Sequence, residues 1–191
     1  MVRLGEVTEI TSGQVDPRDK QFQHEMFVAP DDIEPRTGRL INNRTVRDAQ
    51  TISGKYQFRD GDVLYSKIRP YLMKAYVPRE SGLCSADVYP IQPAPMLNPS
   101  YLAAFLLSNA FADYVRTCSD RTGIPKVNRE DLFKCSLSLP PLAEQGAIVA
   151  LLDCLDRAIE RGREEREGLQ AVNETIADGL LTGRLQIGAS S

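Results

Sequence analysis

Leu139-Pro140-Pro141-Leu142-Ala143-Glu144-Gln145 divides this 191-residue chain in two, and no proline follows Pro141. Downstream, apolar side chains recur at spacings of four and three: Ile148, Leu152, Leu155 and Ile159, then Leu169, Ile176 and Leu180. That is a heptad-type seam on one long helix. About forty residues at ~1.5 Å each reach roughly 60 Å, about twice the width of a small domain. Such a helix cannot bury its whole seam on the domain that precedes it, so the spacing predicts a partner helix. Pro141 suits a first helical turn, and Gly183 suits the residue just past the end. The expected helix is 142–183, with 184–191 as a tail. Gly162, Arg166 and Asn173 interrupt the seam. Arg157 to Glu167 holds four arginines and four glutamates, a solvated, self-neutralising middle. The helix is expected to run through it, with Gly162 the place where it would bend.

Upstream, residues 1–141 read as one α+β domain. Ser12-Gly13, Asp16-Pro17, Thr37-Gly38, Asp60-Gly61 and Ser81-Gly82 punctuate it as turns. Between them lie short strand-like runs at Glu25–Val28, Asp62–Ile68, Ala75–Val77 and Ala86–Ile91. A helix capped by Ser100 is expected to run to about Thr117, and Asn128 is expected to cap a short second one. Phe133–Leu139 reads as a final extended segment.

Charge is unevenly spread. The net −3 and the isoelectric point of 5.3 argue against nucleic acid for the chain as a whole. Yet Arg36 to Arg79 carries ten basic residues against Asp48, Asp60 and Asp62, a local +7. Residues 142–191 hold five arginines against nine acids, a local −4. A phosphate backbone meets the local field. The four cysteines form no C-x-x-C pair, and His24 is the only histidine, so no metal site or metal cofactor is expected. The first residues have no secretory character and no run is apolar enough for a membrane span, so a reducing cytoplasm is expected.

The order of motifs resembles the specificity subunit of type I restriction–modification systems. Leu139–Gln145, Ile148-Val149, Leu152-Asp153, Leu155-Asp156 and Gly179-Leu180-Leu181-Thr182-Gly183-Arg184 are similar to that family's conserved spacer helix. Phe58–Pro70, Gly123–Asn128 and the opening Leu4-Gly5-Glu6-Val7 are similar to its target recognition domain. The resemblance implies a mixed α/β recognition domain followed by a coiled-coil helix. A full subunit of the family is similar to two such units in tandem, whereas this chain shows one. It therefore implies a half-subunit that pairs with a second copy or with a different half through antiparallel helices, or else one half of a full two-unit subunit. It also implies double-stranded DNA as ligand, a methyltransferase subunit as partner, and an ATP-dependent restriction subunit as a further one. No cofactor and no catalysis by this chain are implied.

Candidate DNA-contacting residues follow from the basic stretch and its tyrosines. Lys67, Arg69, Tyr71 and Lys74 surround Pro70 at a strand end. Arg36, Arg39, Asn43 and Arg44 lie earlier, and Arg121, Thr122, Lys126 and Asn128 lie in the loop before the second helix. Arginine and lysine suit phosphates and guanine edges; asparagine suits adenine. Rival readings stay open. The domain could bind protein as a coiled-coil scaffold, Asp60-x-Asp62 with Lys67 could be a nuclease fragment, and a fused methyltransferase–nuclease system could use the same recognition unit. The scaffold predicts no salt-dependent DNA affinity; the nuclease predicts metal-dependent cleavage lost at Asp62.

Overall fold

The computed structural model describes residues 1–119 and 125–187. The chain forms two compact units, Met1–Val149 and Ala150–Ser191. In chain order the elements are β1 (Val2–Arg3), α1 (Leu4–Val7), β2 (Thr8–Ile10), β3 (Met26–Val28), β4 (Arg44–Thr45), α2 (Val46–Ala49), β5 (Tyr56–Phe58), β6 (Val63–Ser66), β7 (Ala75–Tyr76), β8 (Gly82–Cys84), β9 (Val88–Pro93), α3 (Pro99–Leu106), α4 (Asn109–Ser119), α5 (Arg129–Lys134), β10 (Ser136–Leu137) and α6 (Leu142–Leu181).

Two four-stranded sheets organise the first unit. One is antiparallel in the order β2-β9-β6-β7, and the other runs β4-β3-β8-β5, with β3 and β8 parallel. The alternation expected along Asp62–Ile68 is present in β6, but both faces are buried. Val63 and Tyr65 pack toward Leu102, Leu106, Phe111 and Leu132 of the helices. Leu64 points the other way, into a second core with Val28, Ile33, Phe58, Cys84 and Val88 from around the second sheet. The neighbours of Val28 and Cys84 on β3 and β8, Phe27 and Leu83, turn to a third cluster with Phe22 and Val46. The first sheet is thus packed on both faces. Strand β8 was not anticipated. Its Gly82 is needed where β3 passes: a Cβ there would lie 2.4 Å from the Met26 carbonyl oxygen and 2.7 Å from Phe58.

The helices refine the sequence reading. Asn98, not Ser100, caps α3. Its Oδ1 accepts from the Ser100 and Tyr101 amides, and Pro99 fills the first turn, where no amide is needed. The expected single helix to Thr117 breaks after Leu106, and Ser108 Oγ accepts from the Phe111 amide at the start of α4. Asn128 does cap α5, accepting from the Asp131 amide at 2.8 Å. The final extended segment is β10, paired with β1, which ties the two ends of the domain together.

Gln145 explains the last residue of the opening motif. It is fully buried. Its Oε1 accepts from the Asn98 amide at 2.8 Å, and its Nε2 donates to the carbonyls of Met96 and Pro140. All polar atoms of this side chain are used, and the first turn of α6 is locked to the cap of α3. Helix α6 is continuous for 40 residues and ends at Leu181, two residues short of expectation, with Gly183 in the left-handed conformation (φ 73°).

Candidate nucleic-acid interface

Three segments distant in sequence are joined by backbone hydrogen bonds. After β6 the chain turns through Arg69 (φ 48°), a 3-10 turn at Pro70–Leu72, and Met73 (φ 50°). Left-handed backbone costs a side-chain-bearing residue roughly 1–2 kcal/mol. The turn is held by the Leu72 and Met73 amides donating to the Arg69 and Pro70 carbonyls, and by burial of Pro70 and Met73. Residues 125–127 run beside it. The Arg69 amide donates to the Pro125 carbonyl and the Val127 amide to the Lys67 carbonyl, each at 2.9 Å. The third segment holds Arg36, also left-handed (φ 67°), whose amide donates to the Met73 carbonyl at 3.0 Å. Arg36, Arg69, Tyr71 and Lys126 are exposed there. Strained backbone that the surroundings over-determine is a frequent mark of a binding site. Exposed cations with an exposed tyrosine, set on a braced frame, suit an anionic ligand with stacking faces.

The other sequence candidates separate by position. Arg39 and Asn43 are exposed. Lys67 is half-buried, 3.8 Å from Asp87, with its ammonium 5.3 Å from the Tyr89 ring centroid. Lys74 is a correction: it is buried and its Nζ donates to the Pro30 carbonyl at 2.7 Å, so it braces the frame and is not available to a ligand. Arg44 is largely committed. It donates from Nε and Nη2 to the buried Asp32 carboxylate, at 3.2 and 2.8 Å, and lies over Phe27. A buried carboxylate needs that partner. The Asn128 amide is taken up by capping, with Nδ2 donating to Asp131 Oδ2 at 2.7 Å. Arg121 and Thr122 lie outside the described residues.

Sequence reasoning missed Arg129. Its guanidinium sits 5.7 Å from the Tyr89 ring centroid and 5.8 Å from that of Tyr56, and it donates to the Thr11 carbonyl at 3.3 Å. The signal was faint, a lone arginine directly after a capping asparagine. Burial raises the Tyr89 hydroxyl above its ordinary pKa, with Arg129 opposing the shift. That hydroxyl donates to the Val127 carbonyl at 3.3 Å.

Asp62 has a local duty, accepting from the Arg59 amide at 2.9 Å while burial raises its pKa. Cys84 is buried and its thiol is raised by the same cause. Among the described residues no group of three His, Cys, Asp or Glu side chains could hold a metal. No described helix is long and apolar enough to cross a membrane. On α6, Leu152, Leu155, Ile159, Leu169, Ile176 and Leu180 are all exposed. Ile148 belongs to the first unit and is half-buried.

Comparisons with known proteins converge. Residues 1–167 match the family model described as type I restriction modification DNA specificity domain. The EcoDI type I restriction enzyme specificity subunit of Escherichia coli is 35% identical over 154 residues, covering 81% of this chain and 34% of that protein. The HindI specificity subunit of Haemophilus influenzae is 25% identical over 162 residues, covering 77% and 35%. This chain thus spans about a third of the length of these curated relatives. Among solved structures, the HsdS subunit of Thermoanaerobacter tengcongensis superposes with a TM-score of 0.73 at 24% identity, over 92% of this chain and 46% of that one. At that identity the likeness speaks to the fold, a mixed α+β domain with a long C-terminal helix.

Proposed function

The chain belongs to the type I restriction–modification DNA specificity domain family, and from that premise we propose that it reads one half of a bipartite DNA target. The observation that carries this reading is the braced junction of three loops, which presents Arg36, Arg69, Tyr71 and Lys126 on one backbone-bonded frame. Arg39, Asn43, Lys67, Arg121 and Thr122 extend the candidate set. Lysine and arginine give salt-dependent affinity through phosphates and sequence through guanine edges. The chain itself is a non-catalytic recognition subunit.

Two copies pair through α6 helices running antiparallel. The exposed seam supports this, because a 40-residue helix carrying exposed leucines and isoleucines at heptad spacing requires a covering partner. A symmetric dimer reads a palindrome split by unspecified bases. The assembly recruits a methyltransferase subunit and, with it, an ATP-dependent restriction subunit.

The test selects duplexes from a random library with the chain co-expressed with a methyltransferase subunit. A palindromic motif with a fixed spacer is the expected result. An asymmetric motif would replace the second copy with a different half. No enrichment at low salt in an intact complex would overturn DNA reading in favour of a scaffold. Changing Lys67, Arg69 and Lys126 to alanine is expected to abolish enrichment, and unaltered enrichment would remove that site.

A further inference from the structure

The side chains of the two half-buried cations beside the exposed patch take no part in the hydrogen bonds of the junction of loops, yet both lie against one ring. Lys67 and Arg129 lie 5.3 and 5.7 Å from the centroid of Tyr89. Tyr89 is itself fixed by β9 and by its hydroxyl bond to Val127. Arg129 is held further by the Tyr56 ring and the Thr11 carbonyl. Two like charges held near one ring repel each other, and an anion beside the ring would offset that repulsion. Among the described residues, the ion pair at close range is with Asp87, 3.8 Å from Lys67 and itself well exposed, and it offsets part of the charge. The acids next to Arg129 in sequence are spoken for: Glu130 pairs with Lys134 and Asp131 accepts from the Asn128 cap.

We propose that Lys67 and Arg129, gathered over Tyr89, form a clamp for a single DNA backbone phosphate. The proposal rests on the DNA-reading function and adds the part that sets position, not sequence. Reach decides between phosphate and base. The major groove is ~8.5 Å deep, so a side chain reading its floor has to extend into it. Arg129 and Lys67 are half-buried against rings and spring from the start of a helix and the end of a strand, the stiff parts of the domain. They suit the backbone at the groove's rim, while the exposed Arg69, Tyr71 and Lys126 have the reach for base edges. A guanidinium held on two rings retains free N–H groups aimed in fixed directions, which fits the fork geometry of a phosphate.

Binding of the full chain, in its co-purified complex, to a duplex carrying the enriched motif and to a scrambled duplex, across a potassium chloride series, tests the clamp. Arg129→Ala is expected to weaken binding to both duplexes by the same factor, roughly tenfold, and to lower the log–log salt slope by about 0.9, one phosphate's worth. Lys67→Ala is expected to do the same. The double variant is expected to lose about 0.9 in slope, not twice that, because the two cations share one phosphate. A slope loss of twice that size, unchanged binding, or a changed base preference would each overturn the clamp. Should Arg129→Ala fail to fold, Arg129→Lys, keeping the slope, against Arg129→Gln, losing it, carries the same test, and equal slopes would overturn it. A wild-type chain with no salt-dependent DNA affinity would instead sink the DNA-reading function itself.

Discussion

The two units of this chain solve the same problem in opposite ways. In Met1–Val149, a strand of only four residues, β6, buries side chains on both faces, and Phe58, Leu64 and Val63 are fully covered. In Ala150–Ser191, the rest of α6, at 32 residues eight times longer than β6, leaves Leu155 at 52% and Leu169 at 65% exposure. The first unit satisfies its apolar surface from within. The second leaves apolar side chains exposed at heptad spacing. Stability in the first is a property of one chain; in the second, on the proposed pairing, it is expected to depend on concentration.

The sharpest way to break this contrast is to remove the seam. Leu155→Ala with Ile176→Ala takes two apolar contacts from each copy, four per pair. At ~1.5 kcal/mol each, pairing weakens by about 6 kcal/mol, on the order of 10⁴-fold. Sedimentation equilibrium is expected to show a shift to monomer, while the first unit's unfolding by near-ultraviolet circular dichroism stays where it was. A pair that resists the double change would mean that the seam is covered by something other than itself.

Phe58→Ala tests the other side. It opens a cavity between the two sheets, and a loss of about 3–5 kcal/mol is expected in denaturant unfolding. Self-association of whatever fraction remains folded is expected to be unchanged. Coupled loss of both would merge the two units into one cooperative structure.

Smaller, and placed where α6 leaves the domain, is Gln145→Ala. It strands the Asn98 amide and the Met96 and Pro140 carbonyls, for an expected cost of about 1–3 kcal/mol. Increased hydrogen exchange at Asn98 and at the first turn of α6 is the readout. Protection equal to wild type would remove the lock.

The same contrast governs how much the sequence disclosed. Periodicity is strongest where one face repeats over many turns, so α6 was legible to within two residues of its end. The α+β class was legible from short runs between turns. Strand β8 was not, because Gly82-Leu83-Cys84 has neither length nor alternation and is defined by its neighbours β3 and β5. Of the candidate site, the basic composition around Pro70 was legible. Which cations face outward was not. Lys74 and Lys67 look alike in the sequence, and only the Pro30 carbonyl turns Lys74 inward. Arg129 was invisible because its partners Tyr56, Tyr89 and Thr11 are far away in the chain.

The thiols give the finest comparison. Cys84 and Cys135 are buried in the first unit, whereas Cys154 is exposed on α6. Burial pushes the Cys135 thiol up to about 11 and raises Cys84 as well. In the unfolded chain a thiol ionises near ~8.5. A raised folded-state pKa means that the native state holds its proton after the unfolded state has released it. The stability is therefore fully present below about pH 8.5 and is lost as pH rises toward 11. For Cys135 the loss is expected to reach roughly 1–2 kcal/mol by pH 10. Denaturant unfolding at pH 7.5 and pH 10 checks it. Cys135→Ala is expected to shrink the difference between the two pH values, and Cys154→Ala, a change at an exposed position on α6, to leave it untouched. If Cys154→Ala shrinks it equally, that thiol lies in a covered interface, and the helical unit would have found its partner by a face other than its seam.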